Sequence, residues 1–126
     1  MKRTVLFIDD DEVILKVGEL ILSNSGYMVL TARSGEAGLK QLQTRKVDAI
    51  FLDLMMPGLS GIEFLKVLRS NKDLKAIPVV VQTGVGDKTD INDALKLGIS
   101  SLIRKPYNKK SLLAIVELVF SRAKND

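Results

Sequence analysis

Short apolar runs alternate with amphipathic stretches five times along the chain. The runs are rich in Val and Ile and apolar at consecutive positions, a pattern typical of strands buried on both faces. It predicts strands over Val5–Ile8, Tyr27–Leu30, Val47–Leu52, Ile77–Val81 and Leu102–Ile103. Helices are predicted over about Asp11 to Ser23, Ser34 to Thr44, Ile62 to Ser70, Thr89 to Gly98 and Asn108 to Lys124. This alternation indicates an α/β fold, a doubly wound five-stranded parallel sheet with five helices and right-handed crossovers.

Two of the helices carry apolar patterns that predict what they bury. The first helix has apolar or small residues at three- and four-residue spacing, which predicts its packed face: Ile14, Val17, Gly18 and Ile21. The last helix can fill its inward face with Leu112, Leu113, Val116, Val119 and Phe120. Ile115 and Leu118 are then left over. We hypothesise that helices four and five with strand five form an output or homodimer surface, the alternative being half-buried edge packing.

Composition excludes several classes of protein. With 126 residues the chain has room for one domain, 1–126, and its 46% hydrophobic content suits a packed core. It has no cysteine and no histidine, which excludes disulfides, thiolate or imidazole metal sites and a Ser-His-Asp triad. A bound metal would need oxygen ligands, which points to Mg²⁺, Mn²⁺ or Ca²⁺.

Hydropathy and charge bear on where the protein is located and on whether it binds nucleic acid. The longest apolar run is Leu112–Val116, far short of the roughly 20 residues that a membrane span needs, so we expect no membrane segment and a cytoplasmic location. The net charge is +4, but the basic residues are scattered and lack interleaved aromatics. Direct DNA or RNA binding is therefore not expected.

The residues that follow the predicted strands carry the candidate chemistry, because ligands of such sheets bind beyond the carboxyl ends of the strands. Asp9 and Asp10 follow strand one, Asp53 follows strand three, Thr83 follows strand four and Lys105 ends strand five. Three converging carboxylates stay ionised together only with a compensating cation, and Mg²⁺ suits them. Together these groups predict a phosphoryl-transfer site in which Asp53 is the nucleophile and Lys105 neutralises the transferring oxygens.

Each of these residues has a simpler explanation when taken alone. The acidic run that starts at Asp9 could cap the first helix, and Asp53 could be a turn residue. Thr83 could be ordinary loop chemistry, and Lys105 could merely end a strand. Their joint occurrence at four strand ends favours the site.

These residues make the chain resemble the receiver domains of two-component response regulators over essentially its whole length. The matching segments are Val5–Asp10, Asp53–Gly61, Thr83–Gly84 and Lys105–Tyr107. The resemblance implies a flavodoxin-like sheet with strand order 2-1-3-4-5. It also implies that Asp53 accepts a phosphoryl group from a phosphohistidine on a sensor histidine kinase or a histidine phosphotransfer protein. A cis peptide bond is expected between Lys105 and Pro106.

The resemblance further implies a role for each site residue. Asp10 would bind Mg²⁺ directly, Asp9 would act mainly through water, and the backbone carbonyl of Met55 would complete the protein ligands beside Asp53. Thr83 and Lys105 would hold the phosphoryl oxygens. Met55 and Val85, two residues beyond Asp53 and Thr83, would line the approach of the hydrolytic water. Because both are apolar, we expect a long-lived phosphoryl group.

One position departs from the family pattern. Receiver domains usually place an aromatic residue three positions before the lysine, where it swings inward as the threonine moves. Here that position holds Leu102, which puts the aromatic switch in doubt but not phosphorylation. Tyr107 occupies a different position and is no substitute. We assign it, with Ile115 and Leu118, to the predicted partner surface.

The expected role is that of a switch rather than an enzyme. Without histidine the protein cannot donate its own phosphohistidine, so it is expected to be a recipient. Only slow self-phosphorylation from small donors and slow autodephosphorylation are expected. If the chain ends at Asp126, its output would be a protein–protein contact, including a phosphorylation-linked homodimer; if it continues, an effector could follow.

Three rival interpretations remain open at this point. A flavodoxin would need a phosphate-cradling loop after strand one, where this chain has four acidic residues. A phosphatase resembling the haloacid dehalogenases would use an Asp-x-Asp motif, and Asp9 and Asp11 have that spacing. A pseudo-receiver would fold in the same way and act as a constitutive protein-docking module.

Overall fold

Five parallel strands form one sheet in the order β2-β1-β3-β4-β5, as the resemblance implied. A computed structural model describes residues 2–84 and 88–125 of the chain. The strands are β1 (Thr4–Ile8), β2 (Met28–Ala32), β3 (Ala49–Asp53), β4 (Val79–Thr83) and β5 (Ser101–Arg104). The helices are α1 (Glu12–Asn24), α2 (Gly35–Leu42), α3 (Gly61–Ser70), α4 (Lys88–Leu97) and α5 (Lys109–Asn125). Every predicted element is present, with ends shifted by a few residues at most.

Helices cover both faces of the sheet and enclose two apolar clusters. One cluster joins Leu6, Ile50 and Val81 to residues of α2, α3 and α4. The other joins Phe7 and Phe51, whose rings stack with centroids 5.0 Å apart, to residues of α1 and α5. Because successive side chains of a strand point to opposite faces, one sheet serves both clusters.

Burial on both faces is confirmed for the central strands and wrong for the edges. β3 and β4 are buried at every position, and β1 at all but its first residue. β2 is fully buried only at Ala32, and β5 only at Ile103. An edge strand has a neighbour on one side only, so solvent reaches its side chains.

The packed face of α1 matches the predicted one except at Val17. Its buried residues are Leu15, Gly18 and Leu22, whereas Val17 is 43% exposed. Gly18 sets this orientation, because a Cβ atom there would lie 2.7 Å from the ring of Phe7. The helix therefore meets the sheet at its glycine, with Leu15 and Leu22 buried beside it and Val17 turned toward solvent.

Capping side chains fix where the helices begin. Two caps lie where helices were predicted to start: Ser34 Oγ accepts the N–H of Ala37, and Asn108 Oδ1 accepts the N–H of Ser111. Ser60 and Glu63 form a reciprocal capping box at α3 that the sequence analysis missed. Among the described residues, no helix is both long and apolar enough to cross a membrane.

Candidate functional site

Three carboxylates meet at the carboxyl edge of the sheet, as the strand ends predicted. Asp9 and Asp10 follow β1, and Asp53 is the last residue of β3, the strand beside it. One oxygen from each of the three lies within 4.8 Å of the others. Asp9 is wholly buried and Asp53 is 6% exposed, whereas Asp10 faces solvent. The cluster is therefore open on one side.

Lys105 brings the positive charge to this cluster. Its Nζ lies 2.7 Å from Oδ2 of Asp9 and 3.2 Å from Oδ2 of Asp53. Backbone groups hold the other oxygens: the N–H of Asp11 donates to Oδ1 of Asp9 at 2.9 Å, and the N–H of Met55 donates to Oδ1 of Asp53 at 3.1 Å. One lysine thus bridges the two buried carboxylates, and the three-carboxylate cluster retains a net negative charge.

Burial and crowding change how these groups hold protons. Loss of solvent and the neighbouring charge of Asp9 raise the pKa of Asp53 to about 6, although Met55 and Lys105 act in the opposite direction. Burial acts to lower the pKa of Lys105, but its bond to Asp9 and the charge of Asp53 outweigh burial and raise it. The site therefore holds one firmly charged cation and a carboxylate that is costly to ionise.

The donor set fits a hard divalent cation. Carboxylate oxygens within reach of one another are the ligands that Mg²⁺ prefers, and the exposed side of Asp10 leaves room for waters. Among the described residues, Oδ2 of Asp9 has no hydrogen-bond donor other than the Lys105 ammonium. An acidic, incompletely neutralised cluster of this kind is stabilised by an added cation.

Thr83 lies at the same edge, as its place in the sequence predicted. It is buried and ends β4, one residue after Gln82, which pairs with Asp53 across the sheet. Its carbonyl accepts the N–H of Lys105 at 2.7 Å, so the backbone joins the threonine to the lysine. The peptide bond between Lys105 and Pro106 is cis, as expected.

Of the three residues predicted to shape switching and hydrolysis, two lie within the described part of the chain. Met55 is 57% exposed beside the cluster. Val85 lies outside the described residues. Leu102 pairs with Val81 on the edge strand and is 38% exposed. Leu102 therefore borders solvent, on the sheet face that α4 covers.

The three residues assigned to the partner surface fall in different environments. Leu118 is 44% exposed on α5, which suits a contact surface. Ile115 is half-buried and packs on the cluster below α5. Tyr107 is also half-buried, and its hydroxyl donates to Oε1 of Gln82 at 3.0 Å. The structure thus leaves Leu118 as the free apolar residue of the three and brings Tyr107 toward the site.

Gln82 lies beside the site, paired with Asp53 across the sheet, and the sequence analysis did not single it out. Its side chain is fully buried on the face that carries Phe51 and Val80. The sequence held only a weak signal, because Gln82 directly follows the apolar run Ile77–Val81 and precedes Thr83.

An apolar groove of about 410 Å³ opens beside the cluster. It is lined by Val13, Ile14 and Val17 of α1 and by Lys105, Pro106 and Tyr107. Lys105 borders both the groove and the acidic cluster. A molecule seated in the groove would therefore approach Asp53.

Comparisons with known proteins agree with this arrangement. The family model described as response regulator receiver domain matches residues 5–117. The alkaline phosphatase synthesis transcriptional regulatory protein PhoP of Bacillus subtilis is 36% identical over 98% of this chain and 50% of its own length. The phosphate regulon transcriptional regulatory protein PhoB of Escherichia coli is 33% identical over 97% of this chain and 53% of its own length. The chain thus spans about half the length of these curated relatives.

Solved structures show the same fold. The chemotaxis protein CheY4 of Vibrio cholerae superposes with a TM-score of 0.89 and 28% identity, covering 94% of this chain and 99% of that one. A response regulator receiver domain protein from Clostridium thermocellum gives a TM-score of 0.87 at 30% identity, with 97% of each chain covered. Receiver domains are signalling switches of two-component systems, and the family binds Mg²⁺ at its acidic cluster. With the family model matched over most of its length, this chain belongs to the response regulator receiver domains.

Proposed function

We propose that this domain is a phosphorylation-dependent switch whose acceptor is Asp53. The observation that carries the proposal is the meeting of Asp9, Asp10 and Asp53 with the ammonium of Lys105 at one edge of the sheet. A constitutive docking module would not need this set of groups. A module of that kind is therefore not favoured.

The proposed donor is a phosphohistidine on a sensor histidine kinase or a histidine phosphotransfer protein. A carboxylate oxygen of Asp53 forms a bond to phosphorus as the phosphorus–nitrogen bond breaks. The electron pair of that bond returns to the ring, which leaves as neutral imidazole because its other nitrogen carries a proton. Lys105 stabilises the charge on the transferring oxygens, and the Thr83 hydroxyl donates to one of them.

Asp10, Asp53 and the carbonyl of Met55 would hold Mg²⁺ directly, and Asp9 would act through water. The bound ion supplies charge neutralisation at the phosphoryl oxygens. The burial of Asp9 and the exposure of Asp10 support this division, because the exposed carboxylate is the one that meets an ion arriving from solvent.

Intact mass after incubation with acetyl phosphate and Mg²⁺ tests the acceptor. We expect a gain of about 80 Da, one phosphoryl group in place of a proton, in the wild type and none in Asp53→Ala. A gain in both proteins would show that another residue is the acceptor. No gain in a folded, Mg²⁺-binding wild type would contradict acceptor chemistry with small donors.

The donor protein is proposed to dock on the groove between α1 and Pro106. Asp53 is almost fully buried, so a bulky donor must seat beside it, and Val13 offers a 68% exposed apolar side chain there. Val13→Glu should slow transfer from a phosphohistidine donor protein about tenfold and leave transfer from acetyl phosphate unchanged. Leu20→Glu is the matched control, since Leu20 is 62% exposed on the same helix and outside the groove lining. Equal slowing by both variants would refute this docking site.

The output is proposed to use the face formed by α4, β5 and α5. Exposed apolar side chains of all three elements support it: Leu95, Leu102 and Leu118. Because Ile115 packs on the core, Leu118→Glu is the cleaner test of this face. We expect Leu118→Glu to weaken a phosphorylation-linked contact, with a partner or a second copy, while melting at the wild-type temperature. Unchanged association of the phosphorylated variant would refute the use of this face.

A further inference from the structure

Gln82 stands out because it is a wholly buried polar residue on an apolar face of the sheet. The neighbouring residues on that face are Phe7, Phe51, Val80 and Ile103. Among the described residues its Nε2 has no acceptor, so the side chain loses water without full compensation. A hydrophobic side chain would fill the same space at a lower cost in free energy, which indicates that the amide oxygen has a specific role.

Tyr107 is the partner of that oxygen, 25 residues further along the chain. Its hydroxyl donates to Oε1 of Gln82 at 3.0 Å, and its ring packs against Phe7 with centroids 6.5 Å apart. The bond joins the end of β4 to the loop after β5. It is a direct tie between two elements that both carry site residues.

The positions of the two residues place this tie next to the chemistry. Gln82 pairs with Asp53 across the sheet and precedes Thr83. Tyr107 lies two residues after Lys105, whose own N–H is bonded to the carbonyl of Thr83. The backbone that carries Lys105 is therefore fixed on both sides, by a main-chain bond before it and by the tyrosine after it.

A lysine needs such support, because its four-carbon stem is flexible and its ammonium must bridge two carboxylates. We propose that Gln82 and Tyr107 are a positioning pair that holds the ammonium of Lys105 in place for phosphoryl transfer to Asp53. This inference rests on the proposed acceptor role of Asp53. Neither residue touches the phosphoryl group; both act through Lys105.

Three variants separate positioning from a purely structural role. Tyr107→Phe removes the donor, Gln82→Met removes the acceptor, and the double variant removes both. Tyr27→Phe is the matched control, because Tyr27 is the other tyrosine of the chain and stacks on Phe120, away from the site. Each protein is assayed for melting temperature and for the maximal rate of phosphorylation by acetyl phosphate with saturating Mg²⁺.

We expect Tyr107→Phe and Gln82→Met each to lower the maximal rate about two- to tenfold, the range that the net contribution of one hydrogen bond spans. The double variant should be no slower than either single variant, since the tie is already broken. Its melting temperature should match or exceed that of the wild type, because no unpaired polar atom remains. A double variant that melts like the wild type but is phosphorylated more slowly identifies a positioning role. The Tyr27→Phe rate should stay at the wild-type value.

A second readout does not depend on turnover. Beryllofluoride, which occupies the place of a phosphoryl group on a carboxylate, should bind the double variant about two- to tenfold more weakly than the wild type. Wild-type rates and beryllofluoride affinity in the double variant would overturn the inference while leaving the acceptor role of Asp53 intact. A wild type that gains no phosphoryl group would instead remove the proposed function itself.

Discussion

The two ends of the sheet use charged residues in opposite ways. At the amino ends of the strands, Asp48 accepts the N–H of Thr4 at 2.8 Å. There too Arg69 donates to the carbonyls of Gly98, Lys75 and Ile77. At the carboxyl ends, two buried carboxylates share one lysine. The amino end pairs each of these charges with neutral backbone groups, whereas the carboxyl end crowds like charges together.

This difference distinguishes charged groups that stabilise the fold from charged groups that serve the function. A charge that bonds to backbone groups stabilises the fold and needs nothing further. A buried carboxylate next to another one costs free energy until an added cation neutralises the excess negative charge. Charged residues whose charge the fold itself does not neutralise are therefore the ones to which we assign a functional role. The same kind of substitution should have opposite effects at the two ends, which makes the comparison testable.

The largest effect is expected at the amino end. Arg69→Met should lower the free energy of unfolding by about 3–4 kcal/mol, because it leaves three backbone carbonyls without their side-chain donor. Urea denaturation measures this loss, with Arg122→Met as the graded control, since Arg122 makes one such bond, to Ser100. Phosphorylation by acetyl phosphate at low temperature should be unchanged in Arg69→Met. A stable Arg69→Met protein would contradict the structural role of this end.

At the carboxyl end, removing a charge should stabilise the protein. Without metal at pH 7, Asp53→Asn should raise the free energy of unfolding by about 1–3 kcal/mol, because ionised Asp53 is disfavoured in the fold. Mg²⁺ should then stabilise the wild type more than the variant. A variant that is less stable than the wild type in metal-free buffer would contradict the account.

The pH dependence has a definite sign. The pKa of Asp53 is about 6 in the fold against 3.8 for the free side chain, so the folded state takes up the proton first. The cost of its charge is present above pH 6 and is relieved as the pH falls through 6 toward 4. The metal-free wild type should therefore gain stability between pH 7 and pH 5, and Asp53→Asn should not. The chain has no histidine to obscure this window.

The smallest effect is the matched change at the amino end. Asp48→Asn should lower the free energy of unfolding by about 0.5–1 kcal/mol, since an amide oxygen is a weaker acceptor for the Thr4 N–H. Denaturation of Asp48→Asn beside Asp53→Asn gives the comparison directly. If both substitutions changed the free energy of unfolding in the same direction, the contrast between the two ends of the sheet would be lost.

Sequence reasoning reached the order of the elements and the acidic cluster, because both depend on local pattern and on where strands end. Asp9, Asp53 and Lys105 are predictable since parallel strands bring their carboxyl ends to one edge. The packed face of α1 was predicted correctly at Gly18 and wrongly at Val17, because the rotation of the helix depends on the ring of Phe7 fitting against Gly18. The bond between Gln82 and Tyr107 lay beyond prediction, since it depends on two side-chain conformations 25 residues apart.

The most direct test of the central claim is to locate the phosphoryl group. The protein is phosphorylated with acetyl phosphate and Mg²⁺, reduced with borohydride, which converts an aspartyl phosphate to homoserine, and mapped by peptide mass spectrometry. The account predicts homoserine at position 53 and nowhere else. Homoserine at Asp9 or Asp10, or a phosphoryl group on a residue outside the cluster, would contradict it.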